Sequence, residues 1–284
     1  MAVGGGHGLA NTLCAARIYA KSIVAIVSAA DDGGSTGRLR AAMGIPAPGD
    51  IRKCLVALAG ESESERAWAR ALEYRFESGE LEGHALGNLL ISGLAASRGD
   101  FLWAVSETAD LVGAVGQVFP ATVDPVSLAG SGPNGSRVGQ ALIAASGEVA
   151  SVSLLPAEPE APAAAVSAIA EADQIILGPG SLYTSVLAAL SVPPIRTAVQ
   201  ACRAQVVYVA NLRQQIPETS GYSIADHVEA LKAHGIDPSV VLCDSREIAL
   251  GNLGLPFEDV ALSDAPGEGH QPARLAAALL NLLP

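Results

Sequence analysis

Gly4-Gly5-Gly6-His7-Gly8-Leu9 opens the chain, and Asp31-Asp32-Gly33-Gly34-Ser35-Thr36-Gly37-Arg38 follows within the length of one strand–helix–strand unit. A glycine-rich turn after a short apolar strand lets backbone N–H groups approach a phosphate, and the helix that follows adds its positive dipole end. Carboxylates do not bind phosphate themselves. They hold a cation that does, bind a sugar hydroxyl, or act as a base. Taken separately, the glycines are also compatible with a plain tight turn, and Asp31-Asp32 with a solvated turn or helix cap. Together, at this spacing, they point to a nucleotide or phosphorylated ligand between backbone amides and an acidic loop.

Working outward, Ile23-Val24-Ala25-Ile26-Val27 is a continuous apolar run before the acidic loop, which predicts a buried parallel strand. A helix is expected from about Leu9 to Tyr19, and another through Leu58 with Asp50 as its N-cap. Residues 63–114 read as mostly helical, with helical spacing over 65–76 and 84–97. Residues 115–148 read as hairpins on the flank of the sheet. A strand at 151–155, a Pro/Glu/Ala connector and a helix at 163–172 come next. Alternation then resumes: a strand at Gln174–Leu177, the turn Gly178-Pro179-Gly180-Ser181-Leu182-Tyr183-Thr184-Ser185, a strand at 205–210 ending on Asn211, a helix at 223–234 capped by Ser223, a strand at 240–243 and a closing helix at 271–282. The alternation predicts an α/β fold with a mostly parallel sheet, and the length suits one large domain or two smaller ones.

Half of the 284 residues are hydrophobic and only 4% aromatic, so the core must be aliphatic. The net charge of −12 repels nucleic acid and anionic lipid. Arg38, Arg40, Arg52 and Lys53 nevertheless cluster in the acidic N-terminal third. Four scattered cysteines form no CxxC pair, which excludes a zinc site of that kind and favours reduced thiols in the cytoplasm. No apolar run reaches the length of a membrane span and no signal peptide is visible. A homo-oligomer and regulatory protein partners stay open.

In open α/β sheets ligands bind beyond the carboxyl ends of the strands. That rule gathers Gly4, Gly5, Gly6 and Gly8, then Asp31, Asp32, Gly33, Gly34, Ser35 and Arg38, then Asp50 and Arg52. It adds Gly178, Gly180, Ser181, Tyr183 and Thr184 as a second cradle, with Asn211, Glu218 and Thr219 after the next strand. His84 and Asn88, four apart on a predicted helix, share a face. Ligand contact and tight core packing are both open for them. Asp31, Asp32 and Asp50, at loop-to-helix junctions, are the carboxylates that could serve a cation or a proton transfer. No GxSxG elbow, Walker loop or Ser-His-Asp arrangement is recognisable.

GGGHGL, ADDGGSTGRLR (30–40), PAPGDIRKCLVALA (46–59), LEGHALGNLLISGL (81–94), ADQIILGPGSLYTSVL (172–187) and VYVANLRQQIPETSGYSIADHVEAL (207–231) come in the order seen in the YvcK-type gluconeogenesis factors. That family is similar to the CofD-type 2-phospho-L-lactate transferases. The resemblance spans nearly the whole chain and is closest to the actinobacterial branch, in which His replaces the usual Thr of the glycine turn. It implies a Rossmann-like fold of three α/β/α layers in one domain over 1–284, with a helical and hairpin insertion at about 60–150. It further implies a cytoplasmic protein that binds a UDP-sugar, UDP-N-acetylglucosamine in characterised members, and supports gluconeogenic growth and control of cell shape. The rival it implies is a Mg-dependent transferase of a phospholactyl-like group, with Asp32 and Asp50 matching acidic positions near metal and acceptor. The DDGGS and PGDIR motifs follow the YvcK type, which argues against a deazaflavin acceptor. His7 removes a hydroxyl, Gly269-His270-Gln271-Pro272 replaces an Arg-His-Asp-Pro pattern, and the two residues between Met1 and the glycine turn suggest a start further upstream.

Overall fold

The computed structural model describes every residue except Asn134, Glu148, 266–268 and Pro284. From the amino end, β1 (Ala2–Gly4) leads to α1 (Gly6–Tyr19) and β2 (Val24–Val27). Five helices follow: α2 (Gly34–Met43), α3 (Pro48–Ala57), α4 (Glu63–Glu73), α5 (Leu86–Arg98) and α6 (Phe101–Leu111). After β3 (Gln117–Pro120), a lobe is made of β4 (Ser127–Gly132), β5 (Gly135–Val138), the short α7 (Gln140–Ser146) and β6 (Ser151–Leu155). Then come α8 (Ala163–Ala170), β7 (Gln174–Leu177), a π-helical turn (Leu182–Leu187) running into α9 (Ala188–Leu190), α10 (Pro193–Ala201) and β8 (Gln205–Val209). The chain closes with α11 (Ile224–Ala233), β9 (Val240–Cys243), β10 (Phe257–Asp259) and α12 (Pro272–Asn281).

Seven strands form one sheet in the order β3-β2-β1-β7-β8-β9-β10. Every pairing in it is parallel. The chain adds strands outward from β1 in one direction, then returns to β1 and builds the other way. The switch point lies between β1 and β7, where the crossovers leave on opposite faces and open a crevice.

Why these runs are strands is visible in the core. Ile175 and Leu177 pack into the cluster on one face, and Ile176 into the cluster on the other. Ile26 and Val27 divide in the same way. A strand covered on both faces needs a continuous apolar run, which is what these segments supply. One face carries α8, α10, α11 and the lobe; the other carries α1, α3, α5, α6 and α12. Each buried aliphatic side chain contributes about 1.5–3 kcal/mol of transfer free energy, so an aliphatic core suffices without aromatics.

Three details depart from the sequence reading. Gln117–Pro120 is a parallel edge strand of the main sheet, not a flanking hairpin. Its terminal Pro120 is tolerated because nothing pairs beyond that edge. The rest of the stretch does form a flanking hairpin, β4–β5, but it also carries the helix α7 and is widened by β6 into the antiparallel sheet β5-β4-β6; Glu148, the end of the stretch read as hairpins, lies outside the described residues. Asp50 sits inside the first turn of α3, which begins at Pro48, and so is not its N-cap. Among the described residues no single helix is long and apolar enough to cross a membrane.

Candidate functional site

The two glycine-rich turns meet at the switch point. A Cβ built on Gly8 would overlap the Pro179 carbonyl oxygen, and one on Gly180 would lie 3.5 Å from the Gly5 oxygen. One on Gly5 would stand 2.7 Å from Asp50 Oδ2 and 3.4 Å from Ser185 Cβ. Thr12 Oγ1, one turn along α1 from Gly8, donates to the Gly178 carbonyl at 2.9 Å. At Gly8 the backbones approach to distances that a side chain would forbid, and at Gly5 a Cβ would press on the Asp50 carboxylate; Gly180 is held to glycine by its φ of +145 and not by crowding. Gly6 has φ +65 at the start of α1, a conformation that costs glycine little.

The acidic loop closes over this crevice with a division of labour. Asp50 Oδ2 accepts the Gly6 N–H at 2.7 Å and its Oδ1 accepts Lys53 Nζ at 3.0 Å. Asp50 therefore caps α1, not its own helix. Asp31 accepts the Gly33 N–H at 3.0 Å. Burial, followed by the neighbouring Asp50 charge, raises the Asp31 pKa. A Cβ on Gly49 would lie 3.5 Å from Asp31 Oδ2, which places Asp31 against the start of α3. Asp32 turns the other way: its two oxygens accept Gln140 N at 3.0 Å and Ala141 N at 2.9 Å, at the start of α7. The carboxylate that feels the Asp50 charge is thus Asp31, whereas sequence reasoning paired Asp32 with Asp50. Among the described residues no group of three or more His, Cys, Asp or Glu side chains forms a metal cluster. A Mg²⁺ held by two carboxylates and ligand phosphates needs no such cluster; half-buried Asp31 beside buried Asp50 would supply that pair, the cation competing with Lys53 for Asp50 Oδ1.

Beyond β7, Asn211 pairs with the turn through both ends of its amide: Gly180 N donates to Oδ1 and Nδ2 donates to the Gly180 carbonyl, each at 2.9 Å. Glu218 accepts the Tyr183 N–H at 2.8 Å and the Thr184 hydroxyl at 2.7 Å, so a carboxylate covers the start of the π-helical turn. Burial raises the Glu218 pKa. In that turn Val186 N reaches back five residues to the Ser181 carbonyl at 3.0 Å. Thr219 is fully buried and accepts Gln215 N at 3.2 Å. Asn211, Glu218 and Thr219 thus shape the second turn; Ser181 remains half-buried at its mouth.

His84, Asn88 and Ser35 come together. Ser35 Oγ lies 2.9 Å from His84 Nδ1, and Asn88 Nδ2 donates to Ser35 Oγ at 3.3 Å. Burial first, then Arg38 and Arg75, lowers the His84 pKa. Arg52 is a correction: its guanidinium is buried and faces the Leu72 carbonyl and Glu73, both at 3.4 Å, on the far side of α3. Gly87 permits this, since a Cβ there would press on the Arg52 chain at 2.8 Å. Arg40 is likewise structural, donating to the Ala30, Asp31 and Val126 carbonyls.

Sequence reasoning missed Thr12 and Arg75 as parts of this edge. Thr12 carried a readable signal, being one helical turn from Gly8 on an apolar face. His270 belongs here too. Its Nε2 donates to the carbonyl of Ala210, the residue before Asn211, at 3.1 Å, its own carbonyl accepts from Asn11, and burial lowers its pKa to about 4.

A family model for 2-phospho-L-lactate transferase CofD matches residues 1–252. A Nostoc protein is 43% identical over 234 residues, 81% of this chain and 51% of that one. The gluconeogenesis factor of Halalkalibacterium halodurans is 42% identical over 81% of this chain and 72% of its own. The chain spans about half the length of the Nostoc relative. A crystal structure of a Bacillus halodurans protein superposes with a TM-score of 0.92 at 34% identity, over 98% of this chain and 97% of that one. The glycine turns that meet at the switch point lie inside the matched span, and on that match and these relatives the chain belongs to the CofD family, in its YvcK-type gluconeogenesis-factor branch.

Proposed function

We propose that this protein is a cytoplasmic regulator that binds a nucleoside-diphosphate sugar of the UDP-N-acetylglucosamine type and acts in gluconeogenic growth and cell-shape control. One observation carries the reading: two glycine-rich turns in van der Waals reach of each other at a topological switch point, the place where α/β sheets hold dinucleotide-sized ligands. The diphosphate would lie along the α1 and Ser181 turns. The Asp31–Asp50 pair would hold Mg²⁺, which supplies positive charge to the diphosphate. The regulatory role is taken from the named relative and from the family resemblance.

Calorimetry with UDP-N-acetylglucosamine, UDP-glucose, UDP and GDP, with and without Mg²⁺, tests it. The expected result is saturable binding of a UDP-sugar recovered intact, with stabilisation of ~2.7 kcal/mol at 100-fold over the dissociation constant. Absence of binding across the panel overturns the reading. A second reading, transfer of a phospholactyl-like group, is favoured by the CofD model match over 1–252. Phosphoryl-transfer chemistry can run on metal and positioning alone. Release of UMP or UDP during long incubation with Mg²⁺ and cell extract, lost in Asp50→Asn, would favour that reading over a regulator.

A further inference from the structure

Helix starts around this edge carry carboxylates: Asp50 on α1, Glu218 on the π-helical turn, Asp32 on α7. The start of α2 carries a different set. Its N-cap is Gly33, with no side-chain cap, and around its first turn stand Ser35, His84, Asn88 and Arg38. Opposite them the chain folds back on itself through an antiparallel bridge between Arg75 and Ala85. Arg38 Nη2 donates to the Glu82 carbonyl at 2.8 Å and Arg75 Nη1 to the Gly83 carbonyl at 2.5 Å. Two guanidinium groups thus hold successive carbonyls of the turn that presents His84. Among the described residues neither pairs with a carboxylate, in a chain with a net charge of −12.

The hydrogen bonds fix the histidine. Asn88, 3% exposed, donates to Ser35 Oγ and leaves its own Oδ1 buried without a partner. Ser35 Oγ also lies 2.9 Å from His84 Nδ1, so one hydroxyl joins the amide to the ring. The serine and the amide position the imidazole through Nδ1, and among the described residues Nε2 has no hydrogen-bond partner.

We propose that Arg38, Arg75, the His84 imidazole and the uncapped first turn of α2 form a subsite for a phosphoryl group, separate from the two glycine-rich turns. Arginine forks and helix N-termini both suit that anion. Asp31, which accepts Gly33 N, and the exposed Glu80 and Glu82 of the turn are the opposing charges. They restrict the subsite to an anion that meets both guanidinium groups together. The inference rests on the nucleotide-sugar reading for its role, the capture of a second phosphoryl group on the ligand or on an acceptor. It does not rest on that reading for its existence.

The test is titration of the intact protein with orthophosphate at constant ionic strength, read on the His84 ring resonances. Saturable shifts are expected, weakened tenfold or more in Arg75→Gln and abolished in Arg38→Gln/Arg75→Gln, with acetate at least tenfold weaker than orthophosphate. Affinity unchanged in the double variant, or acetate equal to orthophosphate, overturns the proposal. Should Arg38→Gln impair folding, Arg75→Gln alone decides, because that exposed side chain meets only the Gly83 carbonyl. UDP titration of Arg75→Gln separates the two readings. Loss of orthophosphate binding with UDP binding intact supports a distinct subsite. Arg75-dependent orthophosphate binding in a protein that binds no nucleotide leaves the subsite standing and removes the nucleotide-sugar reading.

Discussion

Gly8→Ala should damage the site through the fold, although alanine is the better helix former. In the middle of a helix this exchange ordinarily gains about 0.5–1 kcal/mol. Here the new methyl would overlap the Pro179 carbonyl oxygen, stand 2.6 Å from its carbon and 3.0 Å from Gly180 N. All three neighbours are backbone, so no rotamer change relieves them. The carbonyl carbon would have to retreat by about 0.8 Å to reach an ordinary 3.4 Å contact. That would strain the Thr12–Gly178 hydrogen bond of 2.9 Å and the double Asn211–Gly180 pairing. Overpacking of this kind costs about 1–3 kcal/mol, which exceeds the propensity gain, so a net loss of about 1–2 kcal/mol is expected. Gly93→Ala is the control: it lies in α5 with no atom within 4 Å of its would-be Cβ, and should stabilise by about 0.5–1 kcal/mol. Urea unfolding of the two variants beside the parent measures both, and nucleotide-sugar calorimetry on Gly8→Ala reads the displaced turn. If Gly8→Ala is as stable as Gly93→Ala, the two turns do not touch and the composite site is wrong.

His270 is neutral in the fold, with its pKa lowered to about 4 by burial. The unfolded chain takes up that proton near pH 6.5, so stability attached to this residue is present above pH 6.5 and falls as pH drops towards 4, by about 3 kcal/mol in all; unfolding followed against pH in His270→Gln should show a flatter decline, and an unchanged profile refutes it. Glu218 runs the opposite way: its raised pKa means that the folded state binds the proton more tightly, so its ionisation lowers stability as pH rises above the ordinary carboxylate value. Glu218→Gln should remove that slope while giving up one of two accepted hydrogen bonds, about 1 kcal/mol; an unaltered slope between pH 4 and 7 would speak against it. Asp32→Ala should cost about 0.5–2 kcal/mol as a lost helix cap, with faster amide exchange across 140–146 and unchanged protection in β7 and β8; equal loss of protection in the central strands would mean that the lobe and the sheet unfold as one.

The sheet and its glycine turns were legible because their signals are local. Four or five apolar residues followed by glycine identify a strand and its exit without knowledge of any partner, and 174–180 shows this cleanly. Edge strand β3 was not legible: four residues with an exposed first position and a terminal proline look like loop, and only pairing with β2 makes them a strand. The acidic residues failed for a deeper reason. A helix N-terminus, a metal ion and a lysine are all positive, and a carboxylate in a glycine-rich segment suits each of them. Asp31, Asp32, Asp50 and Glu218 are therefore indistinguishable by type and neighbourhood. The groups within about 3 Å decide, and those lie far off in sequence: Asp32 meets residues 140–141, Asp50 meets Gly6, Glu218 meets Tyr183. Asp31 alone keeps a short-range backbone partner and a like-charged neighbour, with burial raising its pKa. A carboxylate left in that condition is the one whose energy falls most when a cation arrives, which is why the proposed Mg²⁺ is drawn at the Asp31–Asp50 pair and not at Asp32.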